Sequence, residues 1–301
     1  MAMGIPPSTR PPDSTRSFGG RTAIHGPARP MQGRVALVVG ASRGIGAAAA
    51  EAFAEAGASV VLGGRDIVAL ESVAERIRAG GSHAIALRVD VTDVGSMRDL
   101  VDHAVATYGR LDVAFNNASD GPLPVPLAEM DIAEFDQGIA TNLRGTFLGM
   151  KFEIAAMLRS GGGAIVNMAS IAGINGTANL GAYVAGKAGI IGLSKVAALD
   201  YADQGIRINA VAPGPILTHH LEAAGAEAQR LAGMSTPMRR VGTAAEVADV
   251  VLWLSSEHAS FVTGVVIPID GGQSAGNKPP QMYRRGEPMA PPAVHAVTSG
   301  A

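Results

Sequence analysis

The chain has 301 residues, 47% of them hydrophobic and 17% charged, with a formal net charge of −2 and no cysteine. Such a length supports one large core or two small ones, and the near-neutral balance argues against a nucleic-acid-binding surface over the whole molecule. Disulfides and thiolate chemistry are excluded, and no membrane span is expected, because the longest apolar stretches are interrupted by Lys187, Lys195 or Asp200.

Residues 1–30 hold six prolines, four arginines and a single acid, Asp13, with no hydrophobic periodicity. They read as an irregular leader ahead of a domain over residues 31–275. An Arg-rich, acid-poor start resembles a transit peptide, but the prolines prevent a long amphipathic helix, so a dispensable extension is expected. Short apolar runs then alternate with helix-length segments. The runs at 35–39, 60–62, 84–89, 111–115, 164–168, 206–211 and 265–269 mostly lack polar alternation, as strands buried on both faces do. Residues 45–56, 66–79, 96–108, 131–159 (with a break), 182–202 and 244–256 read as helices. The alternation predicts an α/β fold: a single doubly wound, Rossmann-type domain whose seven-stranded parallel sheet is flanked by helices. Right-handed crossovers place every strand's carboxyl end on one edge, where ligands bind. Residues 276–301, with Pro279-Pro280 and Pro291-Pro292, form a second irregular tail.

The informative residues fall at those strand ends. Gly40-Ala-Ser42-Arg43-Gly44-Ile45-Gly46 follows the first strand and runs straight into the first helix. Glycines there allow a tight turn and bring backbone N–H groups close to a pyrophosphate, although the G-x-x-x-G-x-G spacing is not the common G-x-G-x-x-G. At the end of the second strand, Gly64 takes the place of an acid that would bind a ribose 2′-hydroxyl, and Arg65 follows. With Arg43, two guanidinium groups flank this point and favour a 2′-phosphate, hence NADP, with NAD as the alternative. Asp66 has two competing readings: a ribose ligand, or the N-cap of the next helix. Asp90-Val91 ends the third strand, where it would frame an adenine edge. Asn116-Asn117-Ala118 ends the fourth, and its small residue lets backbone pass the ribose.

Tyr183 and Lys187 lie one turn apart if 182–202 is helical. A fixed ammonium beside a phenol favours the phenolate, so the tyrosine pKa, about 10 when unperturbed, should fall toward the working range of a general acid/base. Ser170 stands thirteen residues before Tyr183, at the end of the fifth apolar run. Tyr-x-x-x-Lys alone is weak, because helices carry it by chance.

On these residues the chain resembles the short-chain dehydrogenase/reductase family, across roughly residues 33–273. The likeness rests on the glycine turn, Asn116-Asn117-Ala118, Asn142, Ser170, Tyr183-x-x-x-Lys187, Pro213-Gly214-Pro-Ile216-Leu-Thr218, and Val262-Thr-Gly264 through Asp270-Gly-Gly272. The resemblance implies that Tyr183 exchanges a proton with the substrate oxygen and that Lys187 lowers its pKa and bonds the nicotinamide ribose. It also implies that Ser170 holds the substrate oxygen, that Asn142 organises a water-linked relay to Lys187, and that Ile216 and Thr218 hold the carboxamide. Three positions depart from the pattern: Val39 for the usual Thr, Ser119 for the Gly after Asn-Asn-Ala, and Ala169 for a first Ser. The expected activity is hydride transfer between a nicotinamide and a small ketone or secondary alcohol, in a cytoplasmic homo-oligomer, a tetramer by the family's habit. Residues 215–241, with His219, His220, Leu221, Leu231, Met234 and Met238, are expected to cross the substrate mouth as an apolar loop-helix lid. Two alternatives stand beside this reading. One is a reductase of acyl-carrier thioesters, which needs a basic docking surface for which Arg144 and Arg159 are weak candidates. The other is a catalytically silent dinucleotide-binding sensor or scaffold.

Overall fold

The computed structural model describes residues 29–121 and 123–276. All but the inner ends of the expected leader and tail (residues 29–30 and 276) lie outside the described residues. Seven strands, β1 (Val35–Val39), β2 (Ser59–Gly64), β3 (Ala84–Arg88), β4 (Val113–Asn116), β5 (Gly163–Met168), β6 (Ile206–Pro213) and β7 (Val266–Ile269), form one sheet in the order β3-β2-β1-β4-β5-β6-β7. Every pairing is parallel. The order reverses between β1 and β4, which opens a crevice at their carboxyl ends.

The absence of polar alternation has a simple cause. Along β1, Ala36 and Val38 enter one core, whereas Val35, Leu37 and Val39 enter the other, on the opposite face. A strand covered on both sides has no wet face on which to place polar residues. One face is covered by α1 (Gly44–Glu55), α2 (Ile67–Ala79) and α10 (Ala244–Ser255), the other by α3 (Val94–Tyr108), α5 (Gly145–Ser160) and α7 (Gly181–Tyr201). Asp66, Asp93 and Thr243 cap α2, α3 and α10 through their side chains, Thr243 in a reciprocal box with Glu246.

The break expected within 131–159 is a π-helical turn, Ala140–Arg144, between α4 (Ile132–Ile139) and α5. Asn142 sits in it, consistent with the tendency of such turns to mark functional positions. The fourth strand begins two residues later than its apolar run. Its entry is anchored instead by Asp112, whose Oδ2 accepts from Val35 N at 2.9 Å and whose carboxylate pairs with Arg34 and Arg110. Helix α7 is apolar nearly all round but buried on one side only, with Val196 and Leu199 exposed. By length and composition it is apolar enough to cross a membrane, although 33% of that window is buried within the protein.

Candidate active site

At the switch point the glycine turn is pinned from β4. Asn117 N donates to Val39 O at 2.9 Å and Asn117 Nδ2 to Gly40 O at 2.8 Å. Gly46 lies so close beneath this arrangement that a methyl group there would collide with Gly40 O and Asn117 Nδ2. The turn delivers the chain to α1 with Arg43 extended at the N-cap, with no side-chain cap and no acid in the first turn. The first N–H groups of α1 thus face the crevice end without an internal anionic partner, which suits a pyrophosphate. Thr218 rests against Gly44, linking this turn to the stretch after β6. In that stretch Pro213 and Ile216 are buried, Gly214 N donates to Ile269 O at 3.0 Å, and Leu217 N donates to Gly242 O at 2.8 Å.

Arg43 and Arg65 are both exposed at this edge. Asp66 is engaged as the N-cap of α2, accepting from Ala69 N at 3.1 Å, so the second of its two readings describes its position. Asp90 is held below the ordinary carboxylate range, first by the Thr92 N–H at 2.9 Å and then by the Thr92 hydroxyl at 2.8 Å, with Arg65 and Arg88 adding to the effect. Val91 and Ala118 line a cavity of about 10 Å³ with Asn116, Thr141 and Thr146.

Ser170, Tyr183 and Lys187 converge beyond β5. Ser170 caps the short helix α6 (Ile171–Ile174), accepting from Ala172 N at 3.1 Å, and its hydroxyl hydrogen-bonds Tyr183 in the sense that stabilises the phenolate. Lys187 is 1% exposed, donates from Nζ to Met168 O at 2.8 Å, and lies 5.5 Å from the centre of the Tyr183 ring. The expected electrostatics need correction here. Burial pushes the Tyr183 phenol up, more than Ser170 draws it down, and burial brings Lys187 down to about 7. Both groups have lost solvent, which disfavours both charged forms, and the lysine points at a backbone carbonyl instead of the phenol oxygen. Near neutral pH the pair therefore holds a protonated tyrosine beside a lysine close to its own titration point.

Asn142 is fully buried, and its side chain is already engaged. Nδ2 donates to Gly138 O at 3.0 Å and Asp120 O at 3.1 Å, while Oδ1 accepts from Ser119 Oγ at 2.8 Å. The hydroxyl that distinguishes Ser119 from the usual glycine is one of its partners. Asn142 thus clamps the π turn to the segment after β4, and the carbonyl of the same residue accepts from Thr146 Oγ1 at 2.8 Å.

A buried polar cluster lies under these residues and was not expected from the motifs. Asn116 donates to Glu153 Oε2 at 2.9 Å and to Asn167 Oδ1 at 3.0 Å, and Asn167 donates to Ser194 Oγ at 2.9 Å. Its trace in the sequence is an acid, Glu153, on the same helical face as the buried Met150 and Met157.

The segment 215–241 contains α8 (His219–Ala223) and α9 (Gly225–Met234), with Leu231, Met234 and Met238 exposed. Arg240 pairs with Glu246, a bond that holds the carboxylate down at about 2, and Arg239 donates to Met234 O. Arg144 donates to Thr92 O from an exposed position, and Arg159 is exposed near the end of α5.

The family model described as enoyl-(acyl carrier protein) reductase matches residues 40–274. The structure superposes on a short-chain type dehydrogenase/reductase from Mycobacterium marinum with a TM-score of 0.78 and 35% identity, covering 82% of this chain and 97% of that one. The chain is a short-chain dehydrogenase/reductase. Two relatives of known name are each 42% identical over 243 residues. Cis-4-hydroxycyclohexanecarboxylate dehydrogenase of Sinomonas cyclohexanicum is matched over 80% of this chain and 97% of its own length. Cyclohexanol dehydrogenase of an Acinetobacter species is matched over 80% of this chain and 95% of its own. This membership makes the chain an oxidoreductase of alcohol or ketone groups that uses a nicotinamide cofactor.

Proposed function

We propose that this dehydrogenase/reductase interconverts a cyclic secondary alcohol and its ketone with a preference for NADP(H), and that Tyr183 handles the proton. The observation that carries the reading is the convergence of Ser170, Tyr183 and Lys187 beyond the carboxyl end of β5, on the same edge of the sheet as the glycine turn. When bound, the nicotinamide supplies or accepts the hydride. Gly40, Ser42, Gly44, Ile45, Gly46 and the N-terminus of α1 would hold the pyrophosphate; Val91, Asn117 and Ala118 would border the adenosine; Pro213, Gly214, Ile216 and Thr218 would seat the nicotinamide end. The uncapped α1, with no acid in its first turn, supports this fit, since its first N–H groups have no internal anionic partner.

For ketone reduction, the protonated Tyr183 donates its proton to the carbonyl oxygen, which the Ser170 hydroxyl orients and polarises. Lys187 refills or stabilises the phenolate that remains, and Asn142 keeps the π turn fixed against the rim of the site. Alcohol oxidation runs these transfers backwards and requires the phenolate first. A silent dinucleotide-binding role leaves this assembled set without a purpose. The acyl-carrier alternative keeps the support of the family model described as enoyl-(acyl carrier protein) reductase; of its two candidate docking charges, Arg144 donates to Thr92 O and Arg159 is exposed.

The ring-shaped substrate class is supported by the two relatives, both named for cyclohexane-type hydroxyl compounds. Following nicotinamide absorbance with a panel of ketones and alcohols tests it. Cyclohexanol and cyclohexanone should turn over with higher kcat/KM than linear secondary alcohols and ketones of equal carbon number. Equal or better turnover of the linear compounds overturns the ring preference.

For the cofactor, calorimetry should show tighter binding of NADPH than of NADH. Arg65→Ala should erase the difference, lowering NADPH affinity about tenfold or more, the scale of one charge-assisted phosphate contact. Equal binding of the two cofactors by the unaltered protein refutes the preference.

A further inference from the structure

No proton transfer described above uses Glu153, yet its side chain is wholly inaccessible in α5. Oε2 accepts from Asn116 Nδ2 at 2.9 Å, and Oε1 has no partner. The other bonds of the cluster lead away from the acid: Asn116 to Asn167, Asn167 to Ser194 Oγ and to Met150 Sδ at 3.1 Å, and Ser194 Oγ to Ile190 O at 2.7 Å. The elements around Glu153 bring no counter-charge. Helix α3 buries Met97, Leu100, Val101 and Ala104, while the strands contribute Asn116 and Asn167. Among the described residues the other buried charged side chains are Asp112, held by Arg34 and Arg110, and Lys187 of α7, held by Met168 O. A carboxylate resting on a single amide N–H would be an uncompensated charge; a carboxylic acid is not.

The amide oxygen of Asn116 and the unpartnered oxygen of Glu153 both border Gly149. A methyl group at Gly149 would collide with Asn116 Oδ1 and stand 3.2 Å from Glu153 Oε1, so both oxygens crowd the same bare stretch of helix. A proton on Oε1 removes the charge that one amide N–H cannot offset and leaves Oε2 to accept from Asn116 Nδ2. Burial accordingly pushes the carboxyl up to about 8, with Asn116 opposing.

The cluster touches the site at two places. Asn116 precedes Asn117, which holds Gly40 O, and Asn167 precedes Met168, whose carbonyl receives Lys187. Ser194 lies two turns along α7 from Lys187, on the same buried face. We propose that Glu153 is a positioning residue that works as a neutral acid, binding Asn116 and, through Asn116 and Asn167, seating the ends of β4 and β5 that carry the glycine turn and the Lys187 acceptor. The catalytic half of this proposal rests on the reading of Lys187 given above.

The test compares Glu153→Gln with Glu153→Leu in the full chain. Gln reproduces one donor and one acceptor and should fold, with kcat near neutral pH within about twofold of the parent. Leu keeps the volume but releases Asn116, and should lower kcat about tenfold, the scale of one lost hydrogen bond, with a smaller change in KM. The sign of the pH effect follows from the raised pKa: stability is fully present below the unfolded value of 4.5 and is lost as pH rises through about 8. The parent's melting temperature should carry this decline between pH 4.5 and about 8, and Glu153→Gln should lack it. Infrared difference spectra, parent minus Glu153→Gln, should show a protonated carboxyl band near neutral pH that disappears at higher pH. Absence of that band overturns the proposal, as does a Gln variant that misfolds or is as impaired as Leu. The spectra and melting curves need no turnover, so a failure of the assigned activity would remain separate from a failure of this proposal.

Discussion

Tyr183→Phe should reduce turnover by about three to four orders of magnitude while leaving cofactor affinity nearly unchanged. The expected size is that of a positioned general acid/base together with the hydrogen bond it makes to the reacting oxygen. Phe keeps the ring and its packing beside Lys187, so a folding defect is not expected to confuse the result. Steady-state kinetics in both directions, with calorimetric titration of the cofactor, measure it; a variant with substantial turnover would sink the mechanism. The parent enzyme should also show a directional pH dependence. Because burial raises the Tyr183 phenol, the acid form needed for ketone reduction persists through neutral pH, whereas alcohol oxidation needs the phenolate and should accelerate as pH rises.

Lys187→Met should lower kcat at least about a hundredfold and, unusually for a catalytic substitution, stabilise the protein at neutral and acid pH. Lys187 is fully buried, and its pKa falls from 10.5 in the ordinary side chain to about 7. The unfolded chain therefore binds a proton at pH values where the folded chain does not. The contribution to stability is full above 10.5 and is lost as pH falls through about 7, a total on the order of 5 kcal/mol. Met fills similar space without a charge, although it leaves Met168 O without its donor, which offsets part of the gain. Melting curves of parent and variant should converge at high pH and separate in favour of Met as pH falls. A constant difference across pH contradicts the lysine's burial as a near-neutral group.

The sheet was legible because strands covered on both faces are written as unbroken apolar runs, and the helices between them carry their own caps. The glycine turn was legible for a related reason: only glycine survives at Gly46, and a backbone that tolerates no side chain leaves a mark in the chain itself. Tyr183, Lys187 and Ser170 stand out by type and spacing, and Asn142 only through the family resemblance; the structure brings the first three together. Their protonation is not legible in the sequence, because spacing reveals a neighbouring charge but not the loss of water around it. The side-chain partners of Asn142, namely Gly138, Asp120 and Ser119, are not legible in its motif, because two of them come from the segment after β4. Glu153 has no motif that sets it apart from any other helical acid; only its burial does.

By itself, then, the sequence determined the fold class, the strand ends at which chemistry sits and the identity of the candidate proton-transfer residues, since periodicity and residue type are local properties of a chain. Tertiary structure alone decided which groups are ionised and which polar atoms are already satisfied. Desolvation and hydrogen-bond occupancy depend on atoms brought from distant segments, and neither is written in the residues that experience them.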